Sequence, residues 1–426
     1  MKLNAVIVAM MCASNLFAKT VYVDCKLGDY SQADGKTAAT AYETLQQAYN
    51  SASSGDEIEV ARGVYDKGEG GTGHWWGQAR IKVGDKTVRF YAPEGASNTV
   101  IEGAYGDDAG EGTGFGSGAL KCVISEGNKP AIFEGFTLRK GRVNPASTGL
   151  HASNVGGAVH ASVNGTIDWR AWPYFVDCVV EDCDGVGASV AWGGTFVRCT
   201  FRGNSLTGAV SSNNYFARHT SFLNCVFTGN IGSRETQFQD CTLVNNTLVN
   251  NGMAINVNSD SRAYNNLFGY NKTTLNASAA DGNLLDGVNT LALVDPASGD
   301  IHWRNGAAES VLIGNARYLG DDYIAVTGGV TTIDKYLDIE NVGIRPSGTV
   351  AAGAVQTGVD ASVSGAIEIT TPGIVYDGRE LDVGDYVTTS RWPELLTFTF
   401  LRISRTLSLL SASTMIVPSF SVPVRR

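Results

Sequence analysis

One short pattern recurs six times between residues 133 and 271, and it restricts the fold more than any other feature of the chain. The copies read FEGFTLRKG, FVDCVVEDC, FVRCTFRGN, FLNCVFTGN, FQDCTLVNN and YNNLFGYN. Each is an apolar residue, a polar one, Cys or a substitute, then a strand that ends near Asn. Aligned this way, one column holds Phe136, Cys178, Cys199, Cys225, Cys241 and Asn266. Five residues further on stand Gly141, Cys183, Asn204, Asn230, Asn246 and Asn271. The steps along the first column from Cys178 onward are 21, 26, 16 and 25 residues. A variable step around twenty fits a solenoid whose strands are fixed while its loops vary. No helical stretch lies between the copies, which excludes leucine-rich and helical repeats.

Within each copy the alternation has period two, so Cys199 and Phe201 face inward while Arg198, Thr200 and Arg202 face outward. Successive coils then stack like residues at about 4.8 Å. Cys178, Cys199, Cys225 and Cys241 are expected to form an internal ladder of reduced thiols, their parallel side chains ill-placed for disulfide torsion. The asparagines are expected to form a second ladder at a turn, where Asn tolerates a left-handed backbone. The sequence therefore predicts an all-β chain, a right-handed parallel β-helix. Tyr42, Leu45, Ala48 and Tyr49 recur at helical spacing and predict a short helix near the N-terminus.

The ends and the composition set the boundaries. Lys2, the apolar run Ala5–Met11 and Leu16-Phe17-Ala18 read as an export signal over residues 1–18. The β-helix domain is expected over 19–356, and residues 357–426 as a small β-sandwich-like remnant with an atypical tail. From Leu395 onward there is no Gly, Asp or Glu, while Arg402 and Arg405 interrupt any span, so the natural reading frame is expected to depart near there. A net charge of -10 argues against nucleic acid as a partner. The expected state is a monomer, secreted or at the cell surface, without a membrane span. Of 8 Cys, removal of Cys12 with the signal leaves an odd number, which argues against a disulfide framework.

The inward Cys followed by a stacked turn Asn resembles the repeats of the pectate-lyase-like superfamily of parallel β-helices. The segment from Thr20 to Gly68 is similar to the entry of many secreted members, and the stretch around Asn283–Gly314 and Ala351–Gln356 resembles the closing segment of bacterial surface β-helix proteins. The resemblance covers about residues 20 to 356 and implies fold, not activity, because this fold hosts lyases, hydrolases and adhesins alike. Lyases of the group use acidic residues to hold Ca²⁺ against a uronate and an Arg or Lys as base. The resemblance also implies that the short N-terminal helix caps the open end of the solenoid. Two readings follow: an exported carbohydrate-recognising protein, in its finer form a lyase of acidic polysaccharide, or a non-catalytic cell-surface structural or adhesive protein.

For the first reading, the register places Asp177 beside Arg198, and Glu181 beside Arg139 and Arg202. Arg198 and Arg202 are the candidate catalytic bases, and Asp177 and Glu181 the candidate substrate-binding acids. Trp169 and Trp172 in the long insertion from Arg142 to Pro173, with Trp192 one coil on, are candidate sugar platforms. The same charges also read, more simply, as cross-strand ion pairs on a solvated sheet. Trp75 and Trp76 form a second aromatic candidate. Arg80-Ile81-Lys82 matches a polygalacturonase tripeptide but lies before the main coils. His160 and His219 read as surface or turn residues, and no histidine spacing points to zinc.

Overall fold

The computed structural model describes residues 19–283, apart from 69, 74–76, 108–114, 145–154, 163–172, 186–187, 207–214, 233–235, 265, 270–271 and 282, together with Leu293–Asp295, Asp300–Trp303, Val355–Thr357 and Glu368–Thr370. The expected export signal, most of 357–426, Trp75, Trp76, Trp169, Trp172 and Asn271 lie outside the described residues.

Three stacked sheets carry the chain. Sheet I has ten strands, from Thr20–Val23 to Ala279–Asp281; sheet II has eight, from Gly63–Tyr65 to Leu267–Gly269; sheet III has nine and ends at Lys272–Leu275. Within them every pairing is parallel except that of Gly70–Gly73 with Gly77–Val83 at one end. One coil runs Ala188–Trp192 on sheet III, Thr195–Val197 on sheet I and Thr200–Arg202 on sheet II, and the next coil repeats the sequence one strand along. This is the right-handed parallel β-helix that the repeats predict.

The interior is a set of like-on-like stacks, as alternation requires. Phe90, Phe133, Phe175, Phe196 and Phe222 form a continuous column under sheet I, with successive ring centroids 4.7, 5.2, 4.8 and 5.5 Å apart. Phe201 and Phe227 stack at 4.8 Å under sheet II. A helix, α1 (Leu45–Ser51), buries Leu45, Ala48 and Tyr49 against the first coils. Thr44 and Gln47 close a reciprocal capping box at its start. Among the described residues no helix is long and apolar enough to cross a membrane.

The ladders exist, but their membership differs from the expected one. At the bend from sheet I to sheet II the column is Phe136, Cys178, Cys199, Cys225, Asn246, Asn266 and Asn283. From Phe136 to Asn266 each backbone N–H in it donates to the side chain one coil on: Cys178 to Cys199 Sγ at 3.4 Å, Cys225 to Asn246 Oδ1 at 2.7 Å, Asn246 to Asn266 Oδ1 at 2.9 Å. Thiol sulfur and amide oxygen thus do one job, accepting the N–H that the bend leaves out of the sheet ladder. The second bend stacks Cys183, Asn204, Asn230 and Asn251 in the same way, so Asn251 stands where Asn246 was expected. Cys241 is in neither column. It sits at the bend from sheet III to sheet I, where its N–H donates to Ser261 Oγ at 3.0 Å. The steps are therefore 21 from Cys225 to Asn246 and 20 from Asn246 to Asn266, not 16 and 25. All seven described cysteines are free thiols.

Candidate functional site

The residue before four of the ladder positions takes a left-handed backbone: φ is 53° at Asp177, 53° at Arg198, 56° at Asn224 and 54° at Asn245. Asp and Asn adopt this conformation readily; Arg does not, at a cost of about 1–2 kcal/mol. An ion pair offsets it. Arg198 donates from Nε to Asp177 Oδ1 at 2.9 Å and from a terminal nitrogen to Asp177 Oδ2 at 3.1 Å, and both side chains are only 14% exposed. Burial alone would depress the Arg198 pKa, but the Asp177 and Glu134 carboxylates hold it above its ordinary value. Arg198 is thus kept as a cation.

The expected acid–arginine face divides into separate pairs. Glu181 registers against Arg202 and accepts from its Nε at 2.9 Å, with Arg202 54% exposed at the outer surface of sheet II. Arg139, although registered with Glu181 on its other side, donates instead to Glu102. Asp177 and Glu181 are four positions apart, up to about 13 Å along extended chain. A Ca²⁺ ion needs six to eight oxygen ligands, whereas both Asp177 oxygens and one of Glu181 are already taken by guanidinium groups. These acids do not fit the ion. Among the described residues no group of three His, Cys, Asp or Glu is placed to hold a metal.

Thr200 faces outward as expected yet is 3% exposed, so it is not a surface residue. Arg80 is also structural: it is buried and donates to the carbonyls of Glu102, Gly68 and Gly103. Sheet I carries a charged row that the repeat pattern did not reveal, in which Arg89 bridges Glu57 and Glu134 at 2.7 and 2.6 Å. Burial raises the Glu134 pKa, Arg89 only partly opposing it.

Chemistry of another kind gathers on sheet III. Val159, Ala191, Ala217 and Phe238 form its inward column, so their neighbours His160, Trp192, Arg218 and Gln239 form one outward column across four successive coils. The His160 and Trp192 rings lie nearly parallel, 6.4 Å apart. The Arg218 guanidinium carbon lies 5.0 Å from the Trp192 ring centroid and 5.5 Å from that of Tyr215. At the bend, His219 meets Trp192 edge-on at 5.3 Å and bonds Asp240 through Nδ1 at 2.6 Å. That bond holds the Asp240 carboxyl below its usual range. Lys121 Nζ lies 3.3 Å from His160 Nδ1, and burial pushes its ammonium pKa well down.

Of the expected site residues, Trp192 is therefore in the sheet III column, away from the bend that holds Asp177 and Arg198. His219 is a turn residue as expected; His160 is a buried strand residue, 1% exposed. Trp192, Arg218 and Gln239 each stand three positions before a sheet I strand (TFV, SFL, TLV), so alignment on those strands would have brought them together.

No family model matches the chain, and no curated protein does. Solved structures similar to parts of it include a mutant pectin methylesterase in complex with a hexasaccharide, 13% identical, covering 62% of this chain and 82% of that one with a TM-score of 0.31. The pectin methylesterase PemA from Erwinia chrysanthemi is 13% identical over 61% and 81%, with a TM-score of 0.25. A lacto-N-biosidase from Eubacterium ramulus is 9% identical over 67% and 70%, with a TM-score of 0.22. Likenesses this slight carry nothing about function, and the β-helix assignment stands on the strand register.

Proposed function

We propose that this is an exported β-helix protein that recognises polysaccharide along the outward column of sheet III. The observation that carries the reading is the alignment of His160, Trp192, Arg218 and Gln239 in one register column. A polymer laid along the solenoid axis meets one of Trp192, Arg218 and Gln239 about every 4.8 Å, while His160, at the end of the column, is buried. Trp192 supplies a flat apolar face for a sugar ring, and the guanidinium and amide beyond it supply hydrogen bonds. Export rests on the tripartite N-terminal pattern.

Catalysis as a polysaccharide lyase is the finer reading. Proton abstraction beside a uronate carboxylate needs a base that is neutral and within reach of the substrate; burial disfavours the charged form of Lys121, but at 1% exposed it is screened from a ligand on the outer face. Arg198, expected as a base, is held as a cation by Asp177, and Arg202 is paired with Glu181. The test is a screen of purified protein against acidic and neutral polysaccharides, read by calorimetry for binding and by new ultraviolet absorbance for unsaturated product. Binding without absorbance leaves a non-catalytic recognition protein; no binding by any member of the panel overturns the proposal.

A further inference from the structure

Arg218, like Arg262, lacks among the described residues the carboxylate partner that most arginines of the coils have. Arg89, Arg139, Arg142, Arg198 and Arg202 each meet a carboxylate within 4.0 Å. Arg218 makes no such pair among the described residues, and its buried Nε has no hydrogen-bond partner. One coil on, in register with it, Gln239 Oε1 is also buried and without a partner. Two rings hold the guanidinium in place, and the nearby Asp240 carboxylate is engaged by His219.

Buried polar atoms left unpaired are costly, and a ligand that supplies the missing partners recovers that cost on binding. Here the missing partners are of opposite kinds, an acceptor for Arg218 and a donor for Gln239. A sugar acid carries both, a carboxylate and a hydroxyl proton on the same ring. A neutral sugar supplies hydroxyls but no anionic acceptor for the Arg218 guanidinium.

We infer that Arg218 and Gln239 form a carboxylate subsite that takes a uronate directly, without a bridging metal ion, while Trp192 covers the sugar ring. The inference rests on the polysaccharide reading and adds to it the charge of the ligand and its independence of Ca²⁺. Direct contact accords with the carboxylates of Asp177 and Glu181 being occupied by arginines.

The test is calorimetric titration of the full chain with galacturonate, glucuronate and mannuronate oligomers and with their carboxyl-reduced neutral forms, in Ca²⁺ and in a chelator. The parent is expected to bind at least one acidic oligomer at least tenfold more tightly than its neutral form, with no change on chelation. Arg218→Met should erase that preference. Gln239→Glu, which places a negative charge at the subsite, should do the same and serves if Arg218→Met fails to fold. Acid preference that survives in both folded variants, or that vanishes on chelation, overturns the inference. Equal binding of acidic and neutral forms by the parent overturns the carboxylate subsite alone, whereas binding of neither overturns the polysaccharide reading with it.

Discussion

Glu102 and Glu134 show how environment sets the protonation of similar side chains. Glu102 is partly buried, which raises its pKa, but Arg139 and Lys140 together prevail and lower it. Glu134 is more deeply desolvated, and its pKa is raised despite Arg89. The consequences for stability have opposite signs. A depressed carboxyl stabilises the fold above its unfolded pKa of about 4.3, and this is lost as pH falls through the folded value. A raised carboxyl stabilises below about 4.3 and loses this as pH rises through the folded value. The stability deficit of Glu102→Gln should therefore shrink on acidification below about pH 4.3. Glu134→Gln should improve relative to the parent between about pH 4 and 7. Urea melts across that range check both, and parallel pH profiles for the two variants would contradict the assignment.

At the scale of the bend, the ladder works by accepting a backbone N–H, and chemistry that preserves the acceptor should be tolerated. Asn246 is fully buried, accepts from Cys225 N and donates to Phe222 O and Asn266 Oδ1. Asn246→Ala leaves buried groups unpaired at about 1–3 kcal/mol each. Asn246→Cys should cost less, because thiols already accept the same N–H at Cys199 and Cys225. Equal losses in denaturant melts would mean that the acceptor is immaterial. Phe201→Ala, which opens the stacked core, should cost about 3–5 kcal/mol. The inward faces of these elements were legible because apolar period two survives every change of loop length. The ladder register was not, because CTLVNNTLVNN contains the bend-and-strand pattern twice in succession. Cys241 before Thr242–Val244 on sheet I mimics Cys225 before Val226–Thr228 on sheet II. The hydrogen bond from Cys225 to Asn246 and the pairing of Val226–Thr228 with Thr247–Val249 separate them. The sheet III column was hidden for a related reason: 32 positions separate His160 from Trp192 and 26 separate Trp192 from Arg218. Arg198 was legible as the partner of Asp177, but its burial was not, since period-two alternation reads this bend position simply as outward.

Over the whole molecule, a stack of coils sets free thiols deep in a continuous core. Burial raises the pKa of Cys178, Cys183, Cys199 and Cys241, which suppresses the reactive thiolate. In native protein a thiol reagent should label Cys25, which is partly exposed, well before Cys122, Cys178, Cys183, Cys199, Cys225 and Cys241, and all should react on unfolding. Ladder cysteines that stay blocked in unfolded, unreduced protein would contradict the free-thiol interior. The same stack places two charged or aromatic faces on different sheets, and they differ in what they leave for a ligand. The Asp177–Arg198 bend is internally satisfied, whereas in the Trp192 column Arg218 Nε and Gln239 Oε1 have no hydrogen-bond partner among the described residues. The most direct test compares Trp192→Ala with Arg198→Ala in titrations against the polysaccharide that the parent binds best, each variant first shown folded by circular dichroism. Recognition along sheet III predicts that Trp192→Ala lowers affinity at least tenfold while Arg198→Ala binds like the parent; loss of binding in Arg198→Ala with Trp192→Ala unaffected would contradict it.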